Sequence, residues 1–153
     1  AVFRSTTSVE EHMAFRIAHL PIRLAAGAYI LNSGLNKREA DADTAAYLHS
    51  AASRVLPTLR DMPPEKFTRM LSNSEIGLGA ALLLPLLPSA LVGAALTVFG
   101  AGLLGHYFTE PGARMEDGIR PTPQGLALAK DVWLVGMGLT LLIDGMRPPC
   151  PVR

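Results

Sequence analysis

The chain has 153 residues, a length that fits a single domain with one core. Apolar residues make up 49% of the sequence and charged residues only 18%, and the mean hydropathy of +0.27 leans toward a membrane protein. The net charge of +1 leaves no basic excess for nucleic acid, and the single cysteine, Cys150, excludes an internal disulfide and a thiolate metal site.

The first predicted helix runs from about residue 13 to about residue 36. Its apolar part, residues 20–35, is short for a membrane crossing and contains Arg23 near one end. The long side chain of Arg23 can reach the lipid headgroups, so Arg23 is predicted to be an interfacial anchor. An extension of the helix through Met13 supplies the missing length of a crossing.

A polar connection, residues 38–62, follows the first helix. Apolar residues recur in it at intervals of three and four positions: Ala45, Leu48, Ala52, Val55 and Leu59. This spacing predicts an amphipathic helix from about residue 42 to about residue 60, lying on the membrane surface.

Residues 76–108 contain no Asp, Glu, Lys or Arg. As one straight helix these roughly 33 residues would be about 50 Å long, which is too long for one crossing. Pro85 and Pro88 interrupt the stretch near its middle. Two helices are therefore predicted, over about 64 to 87 and about 89 to 107, joined by a tight turn and packed closely through their glycines.

The last predicted helix covers about 123 to 144, since Thr122 can cap it, Pro123 fits the first helical position and Gly145 can end it. Two aromatic residues near the ends of predicted helices, Tyr107 and Trp133, are expected to be interfacial anchors.

Together these elements predict an all-α fold: an integral membrane four-helix bundle with an amphipathic surface helix between the first two crossings. The whole chain, 1–153, would form a single membrane domain. A compact, soluble all-helical bundle is the alternative, because short apolar runs do not separate a core helix from a spanning helix.

Four crossings would bring polar residues from all four helices toward one leaflet. This polar cluster comprises Asn32, Lys37, Glu75, His106, Lys130 and Asp131. Ionisable groups inside a membrane are costly unless they are paired or hydrated, so the cluster is a candidate site for a quinone or a lipid headgroup. In the structural alternative, Lys130 pairs with Glu75 across the bundle, and Asn32 only hydrogen-bonds a neighbouring helix.

No catalytic pattern appears in the sequence. There is no HExxH motif, no paired-cysteine spacing and no glycine-rich nucleotide loop after a strand. The chain is therefore expected to have no catalytic residues and no activity of its own, no metal site, and no covalently bound cofactor. A quinone or a lipid is the small molecule that it would bind.

Three parts of the chain resemble the DoxX-like family of small four-helix membrane proteins: RLAAG at 23–27 with SGLNK at 33–37, EIGLG at 75–79, and KDVWL at 130–134. The resemblance implies a four-helix membrane fold. For some members it also implies association with quinol oxidase, thiosulfate-to-quinone or other redox complexes. By matching position, it implies that Lys37, Glu75 and Lys130 are polar residues of the bundle.

The function expected from the sequence is that of a non-catalytic accessory or structural subunit of a larger membrane complex, of respiratory or redox type. Two alternatives remain open: a quinone-handling subunit of an oxidoreductase, and a small transporter or lipid-binding module. The expected partners are the lipid bilayer and other membrane subunits, with no nucleic acid. Basic residues are more numerous in the two long connections than near the termini, so a multi-pass protein of the cell membrane with cytoplasmic connections is favoured.

Overall fold

The computed structural model of the protein describes residues 17–147, and all regular elements in this part of the chain are helical. The prediction of an all-helical chain is confirmed for these residues. A 3₁₀ turn, Ile17–His19, precedes the first helix. The helices are α1 (Leu20–Arg38), α2 (Ala42–Val55), α3 (Pro64–Leu83), α4 (Ser89–Thr109), α5 (Leu126–Ala129) and α6 (Val132–Gly145).

Two helices end earlier than predicted, and in both cases a proline lies just beyond the end. α3 stops at Leu83, and Leu84 has extended backbone immediately before Pro85. α2 stops at Val55, and Pro57 begins a separate 3₁₀ turn, Pro57–Asp61. The predicted surface helix is thus a helix followed by a turn.

The first and last predicted helices begin later than expected. α1 follows the 3₁₀ turn, and the predicted residues 13–16 lie outside the described part of the chain. The last helix begins at Leu126, because Thr122 caps the turn before it and accepts a hydrogen bond from the Gly125 N–H at 3.1 Å. Lys130 and Asp131 then separate α5 from α6.

The four long helices α1, α3, α4 and α6 form two antiparallel pairs. α1 packs along α3 and α4 packs along α6, whereas the two pairs make few contacts with each other. The first pair is antiparallel because Gly27 lies against Leu83 and Gly34 lies against Ile76. α2 contacts both α3 and α4, and so bridges the two pairs. One core cluster joins them: Ala26, Ile30, Leu82, Val92, Leu96, Leu134 and Leu141.

Small residues allow the helices of each pair to approach closely. A Cβ atom at Gly79 would lie 2.6 Å from the backbone nitrogen of Leu31, and one at Gly93 would lie 2.4 Å from that of Leu142. Each helix of the two pairs carries two small residues at positions i and i+7: Gly27 and Gly34, Ser72 and Gly79, Gly93 and Gly100, Gly138 and Gly145. This spacing returns to the same helix face, so each pair has a continuous narrow contact.

Within residues 17–147, two helical segments are long and apolar enough to cross a membrane. They are Ser89–Thr109, which is α4, and Leu126–Gly145, which comprises α5, α6 and the two residues between them. Large apolar side chains such as Leu91, Val98 and Ile143 are exposed on these segments. The narrow seams inside each pair therefore leave much of the apolar surface outside the protein core.

Candidate functional site

A cavity of about 470 Å³ lies between the two helix pairs and is bordered by α2. We call it the interpair cavity. Apolar side chains form most of its wall, including Ala51 and Val55 of α2, Phe67 of α3, and Val98 and Phe99 of α4. Its polar lining residues are Tyr29, Ser33, Lys37, Tyr47, Glu75, His106 and Asp131. The few contacts between the pairs leave this space open.

A buried ion pair lies on the α1–α3 side of the interpair cavity. The Lys37 ammonium group donates hydrogen bonds to Glu75 Oε2 at 3.0 Å and to Ser33 Oγ at 2.7 Å. The side chain of Glu75 is only 2% exposed, so Lys37 and not bulk water compensates its charge. The close contact of Gly34 with the backbone of Ile76 brings these two helices together at this level.

On the α4 side of the cavity, His106 belongs to a network that links α4 to α2. His106 Nε2 lies 3.0 Å from Glu110 Oε2, and Arg54 of α2 forms an ion pair with the same oxygen. The His106 ring meets the Tyr47 ring edge-on, with 6.2 Å between the ring centroids. Contacts from two helices therefore hold the imidazole at the cavity wall.

Asp131 lies at the break between α5 and α6 and lines two cavities. One is the interpair cavity, and the other is a space of about 460 Å³ that α1 and α6 border. Tyr29 also lines both cavities. The two spaces therefore meet at Tyr29 and Asp131.

The structure brings together four of the six residues predicted as a polar cluster. These four line the interpair cavity: Lys37, Glu75, His106 and Asp131. Lys130 is exposed and lines the second cavity, and Asn32 is exposed on α1 and lines neither. Lys37 occupies the place beside Glu75 that the structural alternative gave to Lys130.

The three predicted interfacial anchors have different surroundings. Trp133 is exposed, whereas Tyr107 is buried and its hydroxyl donates to the carbonyl of Ile119 at 2.7 Å. Arg23 is only 1% exposed and does not extend outward as expected. Arg23 is buried because folding brings backbone carbonyl oxygens to its guanidinium group.

Arg23 caps the C-terminal end of α3. Its guanidinium donates to the carbonyl oxygens of Leu82 at 2.9 Å, Ala81 at 3.0 Å, Leu84 at 2.7 Å and Leu87 at 3.1 Å. The last carbonyls of a helix lack partners inside the helix, so the guanidinium satisfies acceptors that would otherwise be buried without one.

Sequence reasoning missed a second set of contacts at this end of the bundle. His19 Nδ1 lies 2.8 Å from Ser89 Oγ, and His19 Nε2 lies 2.7 Å from Asp144 Oδ2. With Arg23, this network joins α1, α3, α4 and α6 at the end opposite the polar cluster. The available signal was the i, i+4 spacing of His19 and Arg23, which places both on one helix face.

No family model matches the chain, and comparison with curated proteins and with solved structures finds no match.

Proposed function

We propose that the protein is a multi-pass membrane subunit that binds an amphiphile in its interpair cavity. The ligand would have a hydrogen-bonding head and a long apolar tail, as an isoprenoid quinone or a lipid does. The observation that carries this proposal is the lining of the cavity, where the polar groups of Lys37, Glu75, His106 and Asp131 meet walls that are mainly apolar. Small-molecule sites typically combine apolar walls with a few placed polar groups.

The proposed arrangement has α1, α3, α4 and α6 crossing the cell membrane and α2 at its surface, with the long connections in the cytoplasm. It is supported by the low burial of the two most apolar segments. Only 28% of the most apolar stretch of Ser89–Thr109 and 17% of that of Leu126–Gly145 is buried inside the protein. A core helix of a soluble bundle would be mostly buried, whereas lipid can cover these faces.

The chemistry of the lining residues favours a polar, uncharged head. The charges of Lys37 and Glu75 already compensate each other, so this ion pair offers no net charge to attract a charged head. Quinone carbonyls accept hydrogen bonds, and an ammonium group or an imidazole N–H can donate them. The polar head of a neutral lipid offers the same chemistry.

As a non-catalytic accessory subunit, the chain would hold the amphiphile for other subunits of a respiratory or redox complex. If a partner subunit oxidised or reduced a bound quinone, the chain would be the quinone-handling subunit of that complex. The resemblance to the DoxX-like family stays a prediction and agrees with either role.

Filling the cavity tests the proposal. Gly102 lines the interpair cavity, and a Cβ atom there would meet no atom within 4 Å. Gly102→Leu should therefore occupy ligand space without disturbing the helix packing. We expect affinity for a short-tailed quinone analogue to fall about tenfold or more, equivalent to about 1.4 kcal/mol of binding free energy.

Gly136→Leu is the matched control, because a Cβ atom at Gly136 would also meet no atom within 4 Å and Gly136 lines neither cavity. Quinone analogue and a fluorescent neutral lipid would each be titrated into the full chain in detergent. Quinone binding that the lipid does not displace identifies a quinone site, and the reverse identifies a lipid site. Affinities that are equal in the parent and both variants, or no binding of either probe, would refute the proposal.

A further inference from the structure

A second polar cavity, of about 530 Å³, lies where the end of α1, the start of α2 and the first turns of α3 meet. We call it the corner cavity. It shares only Lys37 with the interpair cavity, and Lys37 is already paired with Glu75. The other polar side chains of the corner cavity therefore have no part in the proposed amphiphile site.

Three basic side chains at or beside the corner cavity form no ion pair within the described residues. Arg38 and Arg69 line it, and Lys66 lines an adjoining space that also includes Arg69. Within residues 17–147, no ion pair or hydrogen bond engages the side chain of any of these three. The three positive charges are thus available to a ligand.

Two carboxylates also line the corner cavity, and neither neutralises the basic groups. Asp41 is the N-cap of α2, and its Oδ1 accepts a hydrogen bond from the Thr44 N–H at 2.8 Å. Glu65 is exposed in the first turn of α3 and forms no ion pair within the described residues. Both carboxylates keep their negative charge, but neither forms an ion pair with Arg38 or Arg69 within residues 17–147.

The hydroxyl of Thr68 supplies an independent observation. Thr68 lines the corner cavity and is only 4% exposed, and its Oγ1 has no hydrogen-bond partner in the described part of the chain. By contrast, Ser72 on the same helix face donates to the carbonyl of Gly34 at 2.7 Å. A buried polar atom without a partner is unusual in a native fold, and a water or a ligand in the adjoining cavity can supply that partner.

We propose that the corner cavity binds a phosphate group through the guanidinium groups of Arg38 and Arg69 and the hydroxyl of Thr68. Guanidinium groups present paired N–H donors that match phosphate oxygens, and a rotation of the Thr68 side chain would let its buried hydroxyl add a donor. Lys66 contributes a further positive charge at the edge. The phosphate could belong to an anionic phospholipid or be free in solution, and both present the same chemistry to these residues.

Two variants of the full chain in detergent test the site. Arg69→Gln removes a guanidinium, and Thr68→Val removes only the hydroxyl while keeping the shape of the side chain. The probes are inorganic phosphate, and phosphatidic acid with phosphatidylcholine as its neutral reference. We expect Arg69→Gln to lower the affinity for the bound probe about tenfold or more and Thr68→Val to lower it about threefold to tenfold.

Thr68→Val also separates a ligand contact from a structural role. Because the hydroxyl has no partner inside the protein, its removal should leave the unfolding temperature of the ligand-free chain unchanged or higher. Arg60→Gln is the charge control. Arg60 is exposed in the 3₁₀ turn between α2 and α3 and does not line the corner cavity.

Selective retention of phosphatidic acid without phosphate binding identifies a lipid headgroup site, and binding of both probes identifies a site for the phosphate group itself. The proposal is overturned if neither probe binds, if Arg60→Gln weakens binding as much as Arg69→Gln, or if Thr68→Val leaves the affinity unchanged. None of these outcomes depends on the amphiphile site, because Gly102 does not line the corner cavity and neither Thr68 nor Arg69 lines the interpair cavity.

Discussion

Lys37 and Glu75 form an ion pair of 3.0 Å that joins α1 to α3 at the wall of the interpair cavity. Lys37 lies in the last turn of α1 and Glu75 near the middle of α3, and the pair places a compensated charge beside an apolar space. It therefore serves both the packing of the first helix pair and the polarity of the candidate site.

Breaking this pair should be costly, and neutralising both members should not. Lys37→Met leaves the 2% exposed Glu75 carboxylate without its counter-charge, and we expect a loss of about 3 kcal/mol in the free energy of unfolding. The double variant Lys37→Met/Glu75→Gln removes both charges and should recover most of that loss. Reversible unfolding in mixed micelles measures both. Equal destabilisation of the single and double variants would contradict this expectation, because it would show that the loss does not come from an uncompensated Glu75 charge.

Arg23 should be a main stabilising residue of the end opposite the polar cluster. Arg23→Gln removes most of the donors that satisfy the α3 carbonyls, and we expect about 3 kcal/mol or more of destabilisation. Arg23→Lys should recover only part of it, because an ammonium group cannot reproduce the planar fork of a guanidinium. Arg60→Gln, at an exposed site, is the control. Full stability of Arg23→Gln would mean that water satisfies these carbonyls.

Two glycines of the helix pairs should respond in opposite directions to the same change. A Cβ at Gly93 would lie 2.4 Å from the backbone of Leu142, so Gly93→Ala must push α4 and α6 apart, at a cost of about 1–3 kcal/mol. A Cβ at Gly77 would meet nothing within 4 Å, so Gly77→Ala should be neutral or stabilise by up to about 1 kcal/mol. Thermal unfolding of both variants checks the difference. Similar shifts in both would contradict the close contact.

The sequence alone determined the helical content and the main breaks between helices. Residues 76–108 lack charges, and Pro85 and Pro88 divide them, so the turn between α3 and α4 follows from local backbone chemistry. The exact ends were less predictable. Pro57 ended α2 early, and the last helix broke at Lys130 and Asp131, a dipeptide with no strong breaking signal.

Only the tertiary structure decided which polar residues meet. The sequence placed Lys37, Glu75 and Lys130 at one end of the bundle, but it did not say that Lys37 pairs with Glu75 while Lys130 lies exposed. The sequence also predicted that Arg23 points outward as an anchor. The carbonyl groups at the end of α3 that accept its hydrogen bonds are distant in the sequence, so this contact was not predictable. Helix periodicity fixes the face on which a side chain lies, whereas the rotation of each helix about its axis depends on its packing against its neighbours, here through close contacts at Gly34, Gly79 and Gly93.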